Sequence, residues 1–220
     1  PGDDGLVSEE RLAALVAVEG SAAEVQRRYI DSMSDADRLA DLAEQLQLSS
    51  DPQLLTLPVA LLTLTSAPYL RGVTFQGDLI AALGNPAGPD ASLTRYPAST
   101  EQAFDTGRYL ADEPVTPVAV PPADGTVVRS GRFGQFLLTL LIREGLALDR
   151  VDPATSGWAG DSYVTWTSGT ASCLRLDTRT DDVATADTLA TALADWAARR
   201  AGAAVERPDP TTVRVTTCAG

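Results

Sequence analysis

The chain of 220 residues contains no histidine and no lysine, so all 17 of its basic residues are arginine. Lack of His removes the commonest general base near neutral pH and the commonest metal ligand. A Ser-His-Asp triad, a Cys-His dyad and any His-containing zinc site are therefore excluded within these residues. Lack of Lys excludes Ser-Lys and other lysine-dependent chemistry. Cysteine is nearly absent: Cys173 and Cys218 are too few and too far apart for a closed zinc site. Aromatic residues make up only 5% of the chain, which leaves alanine, leucine and valine to fill the core. Positive charge is also short, with a net charge of -13. That balance argues against nucleic acid or an anionic membrane surface as the main partner.

Residues 12–30, LAALVAVEGSAAEVQRRYI, show the clearest helical spacing near the start. Leu12, Leu15, Val16, Ala22 and Ala23 share one stripe with Glu19 in its middle, while Glu9, Glu10, Glu24, Arg27 and Arg28 supply a solvated opposite face. A carboxylate centred on an apolar stripe needs a cation, a metal or several donors, so Glu19 is a candidate for an ion pair, a hydrogen-bonded buried acid or a metal ligand.

Ser8 is placed to cap this first helix, and Ser34 or Asp35 a second, with Leu39, Leu42, Ala43 and Leu46 as its apolar stripe. The apolar run from Pro52, PQLLTLPVALLTLTSAPYL, carries three prolines and several Thr and Ser, which favours a buried helix pair over a membrane span. Residues 69–83 read as a further helix, broken by Gly84-Asn85-Pro86. Residues 87–122 are proline-rich and read as an ordered extended loop with one short helix through Glu101, Gln102 and Phe104. Residues 133–147 read as a buried apolar helix.

From residue 151 the period changes. Strands are expected over 161–167 and 171–177, a helix from Asp181 or Asp182 to Arg200, and a last strand over 211–217. The two cysteines either pair, closing a loop across 45 positions and pointing to an oxidising compartment, or are two separate buried thiols. The sequence opens at Pro1 with no signal peptide, which reads as a processed or trimmed product.

Four pieces in order, LVAVEGSAAEVQRRY, YPASTEQAFDTGRY, DEPVTPVAVP and SGWAGDSYVTW, resemble a bacterial, exported, zinc-peptidase-like family of the zincin type. The resemblance implies an HExxH helix upstream of the EG-containing helix, with Glu19 at the position of the third zinc ligand. It also implies a His and a Pro where this chain has Asp105 and Thr106, and an Arg where it has Ser162. No HExxH occurs in this sequence, and one carboxylate does not hold zinc for catalysis.

The expectation is therefore an α+β chain. Residues 1–150 would form a helical zincin-like body whose central loop spans 87–122, and 151–220 a β-β-α-β module tied by Cys173 and Cys218. The expected role is an exported or envelope-associated, catalytically incomplete relative that binds a peptide or an envelope protein, with no cofactor held by this chain. Tyr96, Glu101, Gln102, Asp105, Tyr109 and Asp161 are the candidate groove residues. The alternative is an active zinc metallopeptidase whose HExxH helix lies outside the sequence, with Glu19 as third ligand. A weaker alternative is a metal-independent hydrolase using carboxylates such as Glu101 and Asp161.

Overall fold

The computed structural model describes residues 8–49 and 56–219. It is α+β: helices α1 (Glu9–Ser32), α2 (Asp35–Ser49), α3 (Val59–Leu83), α4 (Ala87–Thr94), α5 (Thr100–Phe104) and α6 (Thr106–Leu110) precede strand β1 (Thr126–Gly131). Helices α7 (Gln135–Arg143) and α8 (Leu148–Thr155) follow, then β2 (Trp158–Ser168), β3 (Ala171–Thr180), α9 (Val183–Ala197), β4 (Ala204–Asp209) and β5 (Thr212–Ala219).

The chain divides into two compact units, and the division differs from the expected boundary at residue 150. The sheet unit comprises residues 8–10, 98–101 and 112–219, and the helical unit 11–97 and 102–111, within the described residues. Helices α7 and α8 and strand β1 thus belong with the sheet. The sequence reading had no β1, β4 or α8. Strand β1 has its two valines, Val127 and Val128, exposed, so its alternation carries no core signal. Strand β4 contains Pro208 and is exposed along almost its whole length, which suits an edge strand.

In the sheet unit the five strands run antiparallel in the order β1-β2-β3-β5-β4. The β2–β3 hairpin turns at Gly169, whose φ of 62° is the left-handed conformation that glycine adopts without cost. Helix α9 starts at the N-cap Asp182, whose side chain accepts the Thr185 N–H at 2.7 Å. Its buried face, Ala186, Leu189, Leu193 and Trp196, meets Leu138 and Ile142 of α7, Trp158 of β2, Leu176 of β3 and Val213 and Val215 of β5. On another part of the sheet Val164, Trp166 and Cys173 pack with Ala123. Cys173 and Cys218 lie directly opposite on β3 and β5 and form the expected disulfide.

In the helical unit Ala13, Val16 and Ala17 of α1 pack with Phe75 and Leu79 of α3, Ala103 of α5 and Tyr109 of α6. Gln76 donates from Nε2 to the Ala17 carbonyl, Ser21 and Ser92. Four expectations are corrected here. Residues 59–83 form one helix through Pro68 and not a broken pair, since a proline costs only a local hydrogen bond when the surrounding turns hold. The first half of α3 is largely not buried: Val59, Leu61, Tyr69 and Leu70 are exposed and only Ala67 and Pro68 are buried, while residues 52–55 of the apolar run lie outside the described residues. The α2 stripe is likewise exposed at Leu39, Leu42 and Leu46. The segment read as a loop holds three helices, α4, α5 and α6, then a turn at Asp112 and residues 113–122 in neither helix nor strand. Among the described residues, no helix is long and apolar enough to cross a membrane.

Candidate functional site

The buried acid of α1 is Glu9 and not Glu19. Glu9 had been placed on the solvated face, yet it is 1% exposed, whereas Glu19, further along the helix, is only half-buried. Glu9 shares a helical stripe with the buried Leu12, Ala13 and Val16, and Glu9 and Glu10 belong to the sheet unit while Glu19 belongs to the helical unit. Glu9 Oε1 accepts the Thr100 N–H at 2.6 Å and the Thr100 hydroxyl at 3.0 Å. The same hydroxyl oxygen accepts the Phe136 N–H at 3.1 Å in the first turn of α7. Glu9 Oε2 has no hydrogen-bond partner.

Gly134 sits at the N-cap of α7 with φ 86°, and a Cβ there would overlap the Glu9 carboxylate. Only glycine meets both demands at once. The Gly134 N–H donates to Asp161 Oδ2 at 2.8 Å and the Phe133 N–H to Asp161 Oδ1 at 2.7 Å. The Trp158 indole N–H adds a third donor to Oδ2 at 2.8 Å. Asp161 therefore occupies the anion position that the start of a helix favours. Burial pushes the Glu9 carboxyl up from 4.5 to about 7, with the Asp161 charge adding to the rise and the Thr100 bonds and Arg132 opposing it. Burial also raises Asp161 from 3.8 to about 6, against the donors from Trp158, Phe133 and Gly134.

Beside this cluster lies a cleft of about 310 Å³ lined by Glu10, residues 115–118, Gly131, Arg132, Asp161 and Ser162. Arg132 pairs with Glu10 at 3.1 Å and donates to the Ala98 carbonyl at 3.1 Å. The extended wall is fixed where the Thr116 N–H donates to the Ala159 carbonyl at 2.8 Å, at an irregularity in the β2–β3 register. A Cβ on Gly160 would strike the Thr116 carbonyl.

The six expected groove residues do not come together in one groove. Asp161 lines the cleft, and Glu101, also in the sheet unit, is buried. Gln102 and Tyr109 are buried in the helical unit, where the Tyr109 hydroxyl donates to the Ala91 and Arg95 carbonyls. Asp105, at the position where the family resemblance places His, caps α6 by accepting from the Gly107 and Arg108 N–H groups. Tyr96 is half exposed at 50%. Sequence reasoning missed Glu9, Gly134, Arg132 and Trp158 as members of the site. A glycine directly before the apolar run of α7 was the available signal; the 91-residue separation of Glu9 from Thr100 leaves no trace in local spacing.

Among the described residues, no group of three His, Cys, Asp or Glu side chains is placed to hold a metal ion. Residues 120–219, most of the sheet unit, match the family described as a domain of unknown function (DUF8575). No curated protein matches the chain, and no solved structure matches it.

Proposed function

We propose that this chain is an exported binding or scaffold module, catalytically incomplete in itself, whose sheet unit receives an extended peptide segment of an envelope or secreted protein. The observation that carries the reading is how its buried acids are used. Asp161 accepts three hydrogen bonds, two of which fix the start of α7 and one the Trp158 indole, and Glu9 fixes Thr100, so both carboxylates serve to hold the fold. The adjoining cleft offers what peptide recognition uses: a rigid floor, an extended backbone wall at 115–118 and the charged pair Glu10 and Arg132. The disulfide between β3 and β5 supports the assignment to an oxidising compartment.

The test pairs binding with turnover on the full-length gene product, with its zinc content measured alongside. Extended peptides of varied sequence are titrated while the amide signals of Gly131, Arg132 and Ser162 are followed, and the same peptides are assayed for cleavage. Saturable shifts without cleavage support a binding module. Zinc-dependent cleavage that Glu19→Gln abolishes would replace it with the peptidase reading.

A further inference from the structure

Glu9 closes a chain of contacts that links three separate pieces of sequence. It reaches Thr100 at the start of α5, Thr100 reaches Phe136 in α7, and Gly134 between them hands its N–H to Asp161 of β2. The Glu9 carboxyl is 1% exposed, and one of its oxygens lacks any donor. Asp161 and Arg132 are the charges that bear on its ionisation. Asp161 presents a second carboxyl from β2, Arg132 ahead of α7 offers the opposing charge, Glu10 on the same helix is spent on Arg132, and the buried acid Glu101 follows Thr100 on α5. A negative charge on Glu9 would stand beside Asp161 with one undonated oxygen, whereas a neutral carboxyl keeps both Thr100 bonds without that repulsion.

We propose that Glu9, Thr100 and the start of α7 form a proton-closed latch: with Glu9 protonated, residues 8–10 and 98–101 are held on α7 and β2, and loss of that proton to solvent releases them. Both segments are junctions where the chain leaves the sheet unit, before Arg11 and on either side of 98–101. Release takes Glu10 out of the cleft wall and leaves Arg132 without its partner. The latch thereby ties the state of the cleft to acidity, closed in acid and weakened towards neutral pH.

Amide hydrogen exchange of Thr100 and Phe136 in the intact chain, corrected for the intrinsic rate, reads the latch directly between pH 4.5 and 8. The expected result is a loss of protection on the order of 100-fold up to about pH 7 and a plateau above it, the range set by linkage to one buried carboxyl. Protection at Leu176, in the middle of the sheet, should fall far less. Glu9→Gln, which keeps an acceptor and never ionises, should hold Thr100 protected across the whole range. The carboxyl carbon of Glu9, titrated by NMR in the unmodified chain, should follow the same curve, and this measurement decides the matter even where the variant folds poorly. Flat Thr100 protection in the native chain, a Glu9 carboxyl that titrates near 4.5, or the same loss in Glu9→Gln would each overturn the latch.

Discussion

Gly20 of α1 and Gly72 of α3 meet backbone to backbone: a Cβ added to Gly20 would overlap the Gly72 carbonyl, and one added to Gly72 would overlap Gly20 Cα and the Val16 carbonyl. The two helices approach closely enough for Gln76, one turn on from Gly72, to reach Ala17 and Ser21. Here the obstacle is backbone, which cannot rotate aside as a flexible side chain can. Gly72→Ala is therefore expected to destabilise the helical unit by about 1–3 kcal/mol, despite alanine's better helix propensity. Native-state hydrogen exchange of the α3 amides measures it. At Gly77, where nothing lies within reach of a new Cβ, the same change should be neutral or stabilising.

A second prediction concerns the charged row across the sheet. Arg214 of β5 faces Asp177 of β3 in register and grips both of its oxygens, Nε to Oδ1 and Nη2 to Oδ2, each at 2.7 Å. Their side chains are 22% and 10% exposed. Asp177→Ala leaves a half-buried guanidinium without its carboxylate and should cost about 2 kcal/mol. Arg150 and Asp195, paired at 2.6 Å but nearly half exposed, form the contrast. Asp195→Ala should move stability by less than about 0.5 kcal/mol. Trp158, Trp166 and Trp196 all lie in the sheet unit, so urea unfolding followed by tryptophan fluorescence reports both variants.

The sequence was informative where structure is local. The α1 start after Ser8, the β2–β3 hairpin and α9 with its cap all follow from caps, period-two alternation and turn chemistry, whereas the Cys173–Cys218 pairing, across 45 positions, had two separate thiols as its alternative. Strands β1 and β4 were illegible because edge strands have no buried face to impose alternation. Helix α8 was illegible because Pro153 interrupts its reading, although it sits near the end of the helix. In the site, Asp161 and Thr100 fell inside motifs that had been singled out. Their partner Glu9 did not, because its charge assigned it to the solvated face, although it lies three, four and seven residues before the buried Leu12, Ala13 and Val16 and so on the same helical stripe.

Reduction supplies a third prediction. The disulfide spans a sequence separation of 45 and joins two interior strands of the sheet. Constraining a loop of that length in the unfolded chain is worth about 4 kcal/mol in the chain-entropy account. Reduced protein, or Cys218→Ser, should unfold at a markedly lower urea concentration and with a somewhat steeper slope, because the unfolded chain without the cross-link is less compact, as followed by tryptophan fluorescence. A transition that does not move on reduction would mean that the unfolded chain is already constrained around these strands.

The last prediction uses Glu9 as a stability switch with a definite sign. Its carboxyl is near 4.5 when unfolded and about 7 when folded, so the folded chain binds the proton more tightly. The contribution of Glu9 is complete below about pH 4.5, declines as pH rises and is lost above about pH 7, a swing of about 3 kcal/mol. Asp161, raised to about 6, titrates with the same sign. Depressed acids such as Glu24, lowered to about 2 by Arg27 and Arg28, act in the opposite direction, so the native profile alone mixes both. The difference between native protein and Glu9→Gln isolates the one carboxyl. In urea at pH 4.5 the two should unfold close together or the variant slightly earlier; at pH 7.5 the variant should be the more stable by an amount approaching that swing. Equal midpoints at both pH values would mean that Glu9 ionises in the fold as it does in water, and that burial there is relieved by a motion of α1's first turn.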